Sequence, residues 1–127
     1  MEPTASMALR AARKAGDLIV RASDDMDRIG YQAKAAADFV TEVDIASEKE
    51  ILYQLGKTYP DHRFLCEESG LSGNEDSDYT WVIDPLNGTS NFLRGIPHYA
   101  IIIACLYRGK VEHAVVYDPV RREEFIA

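Results

Sequence analysis

The chain has 127 residues, of which 46% are apolar and 28% charged, and its net charge is −7. That describes one ordinary domain, long enough for a real core and short for two. The acid excess argues against nucleic-acid binding driven by overall charge, and the longest apolar run, Tyr99 to Tyr107, is too short to span a bilayer.

No basic segment leads into an apolar stretch at the N-terminus, so the chain reads as cytoplasmic. Apolar positions at Ala8, Ala11, Ala12, Ala15, Leu18, Ile19 and Ala22 recur at helical spacing and predict a helix over residues 5–23. Thr4 and Ser6 are its candidate caps. Arg10, Arg13, Lys14 and Arg21 fall largely off the stripe, as a solvated face does, and the alanines predict close packing on another element. Ile29, Tyr31 and the run Asp38 to Val40 allow two short strands around Lys34. A second helix is expected after Thr41, with Thr41 and Asp44 as a capping box and Ile45, Leu52, Leu55 and Tyr59 as the buried stripe. Pro60 stops it.

Beyond Pro60 the period changes. Arg63 to Cys66 and Thr80 to Asp84 read as strands, separated by a solvated acidic loop. Tyr99 to Tyr107 and Val111 to Tyr117 flank Arg108–Lys110, whose Gly109 suits a hairpin turn. Glu123 to Ile126 begins a last strand, whose edge calls for a partner segment, another subunit or more chain. The fold class is α+β, two helices packed on a mostly antiparallel sheet. Cys66 and Cys105 sit inside apolar runs without the paired spacing of a zinc site, and read as buried free thiols in a reducing compartment.

The chemistry concentrates in Trp81 to Phe92, WVIDPLNGTSNF. Taken alone, Asn87–Gly88 between apolar runs is a hairpin-turn signal. The functional reading explains more of the stretch. A strand ending on Asp84 delivers a carboxylate to the sheet edge, and Pro85 bends the chain so that the Leu86 carbonyl can turn the same way. Carboxylate and carbonyl oxygens suit a hard cation such as Mg²⁺. Gly88 permits close approach of a ligand, and the N–H groups of Gly88, Thr89 and Ser90, opening a short helix that Gly95 and Pro97 end, make an anion site. Upstream, Glu67 and Glu68 follow another strand, and alternation lets only one of them point along the direction of Asp84.

Glu67-Glu68-Ser69 followed by Trp81 to Phe92 resembles the signature of the inositol monophosphatase family, and bacterial inositol-1-monophosphatases above all. The resemblance extends through residues 11–16, 38–44 and 114–119 and so covers essentially the whole chain. It implies the N-terminal, metal- and phosphate-binding portion (residues 1–127) of a layered αβαβα fold, with the C-terminal half absent. It also implies a Mg²⁺-dependent, Li⁺-sensitive phosphomonoesterase acting on myo-inositol monophosphates and related small phosphates. By that resemblance Glu67, Asp84 and the Leu86 carbonyl hold the catalytic metal, and Glu67 and Thr89 position the attacking water. The backbone of Gly88 and Thr89 holds the phosphate, and Lys34, Asp38 and Asp44 support the site. The family pattern has an acid that bridges metals and helps bind substrate where this chain has Asn87, so weaker metal occupancy and impaired activity are expected. The expected partners are a small phosphate monoester and a second copy of the chain, with no direct nucleic acid and no membrane. Some bacterial relatives are implicated in transcription antitermination and ribosomal RNA maturation through protein partners, which makes a noncatalytic binding role the alternative.

Overall fold

The computed structural model describes the backbone of residues 2–29 and 33–127 and the side chains of 2–25 and 36–127. Helix α1 (Pro3–Ile29) opens on a proline, whose missing N–H is no loss at a first helical position. Thr4 and Ser6 lie inside the helix rather than capping it, and the Ser6 amide donates to the Glu2 carbonyl at 2.9 Å. The alanine stripe is buried as the periodicity predicts, with Ala11, Ala12, Ala15 and Ile19 fully inaccessible. Gly16 shows how near the helix comes to the sheet. A Cβ there would sit 2.6 Å from Tyr117 Cε2 and 3.0 Å from Pro119 Cβ.

Helix α2 (Ala33–Thr58) overturns the strands expected around Lys34. Asp38 to Val40 are helical, because the alanines at 35–37 extend good helix formers upstream of them. Tyr31 and the Lys34 side chain lie outside the described residues. Thr41 is therefore mid-helix and makes no capping box; its Oγ1 donates to the Ala37 carbonyl at 3.1 Å, four residues back. Ile45 points outward at 38% exposure, so the expected stripe is rotated. The buried face carries Leu55, as expected, together with Val40, Val43, Asp44, Ser47, Glu48 and Ile51, and Leu52 and Tyr59 pack at its edge.

Six strands form one sheet: β1 (Arg63–Cys66), β2 (Gly70–Gly73), β3 (Tyr79–Asn87), β4 (Ala100–Tyr107), β5 (Lys110–Asp118) and β6 (Glu123–Ile126). Their order is β2-β1-β3-β4-β5-β6, antiparallel throughout except for the parallel pair β1 and β3. β2 occupies part of the expected acidic loop; with Leu71 as its one large apolar residue it has no alternation to read. The β4–β5 turn has φ 50° at Arg108 and 82° at Gly109, the left-handed pair a type I′ hairpin needs.

The core lies between the helices and one sheet face, built from Trp81, Ile83, Ile101, Ile103, Val115 and Tyr117. Burying each such side chain contributes about 1.5–3 kcal/mol. The opposite face, with Val82, Asp84, Ile102, Ala104 and Val116, is half-buried. Cys66 and Cys105 are buried free thiols, pushed up to about 11 by burial first. Among the described residues no helix is long and apolar enough to cross a membrane.

Candidate metal and phosphate site

The parallel pairing of β1 and β3 places the site. Cys66 lies opposite Ile83, so the residues that follow, Glu67 and Asp84, emerge together at one end of the sheet. Their carboxyls lie within hydrogen-bonding reach of each other. That contact is the first cause raising the Glu67 pKa, followed by burial and the charges of Asp84, Glu68 and Glu48. Of the two adjacent glutamates it is Glu67 that meets Asp84. The Glu68 backbone N–H is used elsewhere, donating to Glu48 Oε1 at 3.0 Å.

Beyond Asp84 the register slips. Asp84 pairs with Ile102 but Asn87 with Ala100, which leaves one extra residue at Pro85–Leu86. Proline, having no N–H for the ladder, suits such a bulge. Ser47 Oγ on α2 donates to the Pro85 carbonyl at 2.8 Å and fastens helix to bulge. The strand therefore continues past Asp84 to Asn87 instead of stopping on the acid. The Leu86 side chain is core, and its carbonyl belongs to the bulge.

Asn87 is exposed, and its Nδ2 donates to Asp84 Oδ2 at 2.9 Å. Asp84 Oδ1 is buried without a partner. Gly88 adopts φ 91° and opens α3 (Thr89–Leu93), the short helix expected there, with Thr89 half-buried as its first residue. The close approach that Gly88 allows is to its own chain. A Cβ would lie 2.9 Å from the His98 carbonyl oxygen and 3.3 Å from Tyr99 Cα, where a ligand had been expected.

Asp44 faces this cluster from α2. It is 7% exposed, its Oδ1 has no partner, and its pKa is pushed up to about 7, by burial first and then by the charges of Glu68, Glu67, Asp84 and Glu48. Asp38 is exposed and has no part in the shifts at Asp44 or Glu67. The residue that sequence reasoning missed is Glu48, 3% exposed on the same helix face. Its signal was available: Asp44 and Glu48 are four apart, hence neighbours along one side of a helix.

These groups suit a hard divalent cation in kind, since they are oxygen donors with unpartnered lone pairs and unrelieved mutual repulsion. Among the described residues, no three His, Cys, Asp or Glu side chains converge closely enough to hold a metal by themselves. What converges is the pair Glu67 and Asp84, backed by Asp44. The pair borders a cavity of about 350 Å³ that Leu65, Val82, Ile102 and Ala104 line on the outward sheet face.

The inositol monophosphatase family model matches residues 1–127. The chain belongs to the inositol monophosphatase family. The Nus factor SuhB of Pseudomonas aeruginosa is 54% identical over 129 residues, covering 100% of this chain and 48% of that protein. The crystal structure of the extragenic suppressor protein suhB from Bartonella henselae superposes with a TM-score of 0.86 at 36% identity, over 99% of this chain and 48% of that one. The inositol monophosphatase of Anabaena superposes at 0.78 with 35% identity, over 97% of this chain and 42% of that one. The chain thus spans about half the length of the curated relatives it matches and corresponds to the N-terminal portion of the family fold.

Proposed function

We propose that this protein is a Mg²⁺-dependent phosphomonoesterase acting on small esters such as myo-inositol 1-phosphate, with turnover held low by Asn87. The observation that supports it is the approach of Glu67, just past the end of β1, to Asp84 on the parallel neighbour β3, beside the orphaned oxygens of Asp84 and Asp44. Glu67, Asp84 and the Leu86 carbonyl would hold the cation, with Asn87 beside them. When bound, it supplies a lower pKa for water and a shield for phosphate charge.

The rest falls to the chain's own groups. Glu67, whose proton affinity Asp84 raises, is the acceptor for a proton leaving the attacking water. The Thr89 hydroxyl orients that water. The backbone of Gly88 and Thr89, with the Asn87 amide, faces the ester's anionic group. Asp44 backs the pair from α2 as a further acidic oxygen, and Lys34 and Asp38 flank the site. Phosphoryl transfer asks mainly for such placement and charge stabilisation.

Phosphate release from myo-inositol 1-phosphate at millimolar Mg²⁺ tests the proposal. Slow turnover is expected, lost in Glu67→Gln and Asp84→Asn and increased in Asn87→Asp. Wild-type rates in the first two variants would refute it. The name of the Pseudomonas relative favours a second reading, a binding role in transcription antitermination. An Asp84→Asn protein that loses hydrolysis yet sustains antitermination separates the two.

A further inference from the structure

We infer that the Asn87 amide is a built-in competitor for the cation, rather than a weak substitute for an acidic ligand. This rests on the reading of Asp84 and Glu67 as a cation pair. Asp84 has two oxygens. Oδ2 receives the Asn87 Nδ2–H at 2.9 Å, and Oδ1 is buried with no partner. Asn87 therefore meets Asp84 with a donor, whereas a metal ligand must present an acceptor.

A carboxylate oxygen occupied by an N–H has less to give a cation, and the partial positive charge of the NH₂ group lies on the side from which a cation would share that oxygen. Turning the amide over would offer its own oxygen, but would set that oxygen against Asp84 Oδ2 and forfeit a charge-assisted hydrogen bond. The charged acceptor on Asp84 thus favours the donor orientation of the amide. Asp44 supplies an independent sign that the cluster is made for a cation. Its carboxyl is more than nine-tenths buried, has an unpartnered oxygen, and faces four other acids. With Asn87 in place, the neutralisation that these acids lack comes to Asp84 from an amide dipole instead of an ion.

Competition and weak ligation predict opposite signs for one substitution. Mn²⁺ binding to the purified protein, followed by the paramagnetic signal of the free ion, reads the affinity without any turnover. Asn87→Ala removes the donor and adds no charge. It should bind Mn²⁺ about threefold to tenfold more tightly than wild type, because a hydrogen bond to a charged group no longer has to be given up. Asn87→Asp should bind more tightly still, through its added charge. Asn87 is exposed, so neither variant removes core packing, and melting curves check their folding. Weaker binding by Asn87→Ala would show the amide to be a ligand and overturn the inference, as would an unchanged affinity. Asp84→Asn locates the ion: if it binds as wild type does, both the cation pair and the competition fall. If it loses binding while Asn87→Ala is also weakened, the pair stands and only the competition fails.

Discussion

Asp44 offers the most direct access to the site's electrostatics without a substrate. Its carboxyl is raised from 3.8 to about 7, by burial first and then by four neighbouring acids. In the unfolded chain the same group ionises near 3.8. Between those pH values the folded protein binds the extra proton, so stability falls as pH rises and levels off above about pH 7. A rise of about three pH units at about 1.4 kcal/mol each sets a ceiling near 4 kcal/mol. Glu67 and Glu68 are exposed, and counterions screen their share, so about 2 kcal/mol is the working figure. Asp44→Asn removes this term. Melts of both proteins in EDTA should superpose near pH 4 and separate towards pH 8, where the variant should gain about 7 °C. Millimolar Mg²⁺ should narrow the gap, since a bound cation stabilises the wild-type cluster by mass action. Two curves that stay parallel from pH 4 to 8 would refute the repulsion argument.

Three further substitutions or probes test the packing around the site. Gly16→Ala drives a methyl against the Tyr117 ring and Pro119, and should cost about 1–3 kcal/mol in urea titrations despite alanine's better helix propensity. Gly88→Ala meets both a φ of 91° and the His98 carbonyl oxygen at 2.9 Å, and should lower the melting temperature by more than alanine placed at the open, exposed Gly95. Cys66 and Cys105, buried and pushed up to about 11, should react with a thiol reagent only as fast as the protein unfolds; rapid native-state labelling would contradict their burial.

The strands were legible where one face alternates or a turn is marked. Gly109 sets the β4–β5 hairpin, and the run from Thr80 to Asp84 lies within β3, which goes on to Asn87. The helices were legible only where apolar spacing speaks alone. The alanine stripe of α1 gave its buried face but not its start, which Pro3, a residue suited to the first helical position, marks ahead of Thr4 and Ser6. Asp38 to Val40 looked strand-like through Phe39 and Val40. The alanines at 35–37 carry the helix through them, and Val40 is buried on its core face.

The rotated stripe of α2 carries the larger lesson. Counting apolar residues pointed to Ile45, yet Ile45 faces solvent while Asp44, Ser47 and Glu48 lie buried between Val43 and Ile51. Each polar member has a task at the sheet end: Ser47 holds the Pro85 carbonyl, Glu48 holds the Glu68 amide, and Asp44 faces the acid pair. A helix face that breaks its own apolar period just where it crosses two strand ends is spending stability on something other than packing. Replacing Asp44 and Glu48 together by leucine should then raise the stability of the fold, through relief of repulsion and added apolar area, while abolishing Mn²⁺ binding. If stability and binding instead fall together, the acids hold the fold itself, and the case for a site at this sheet end is lost.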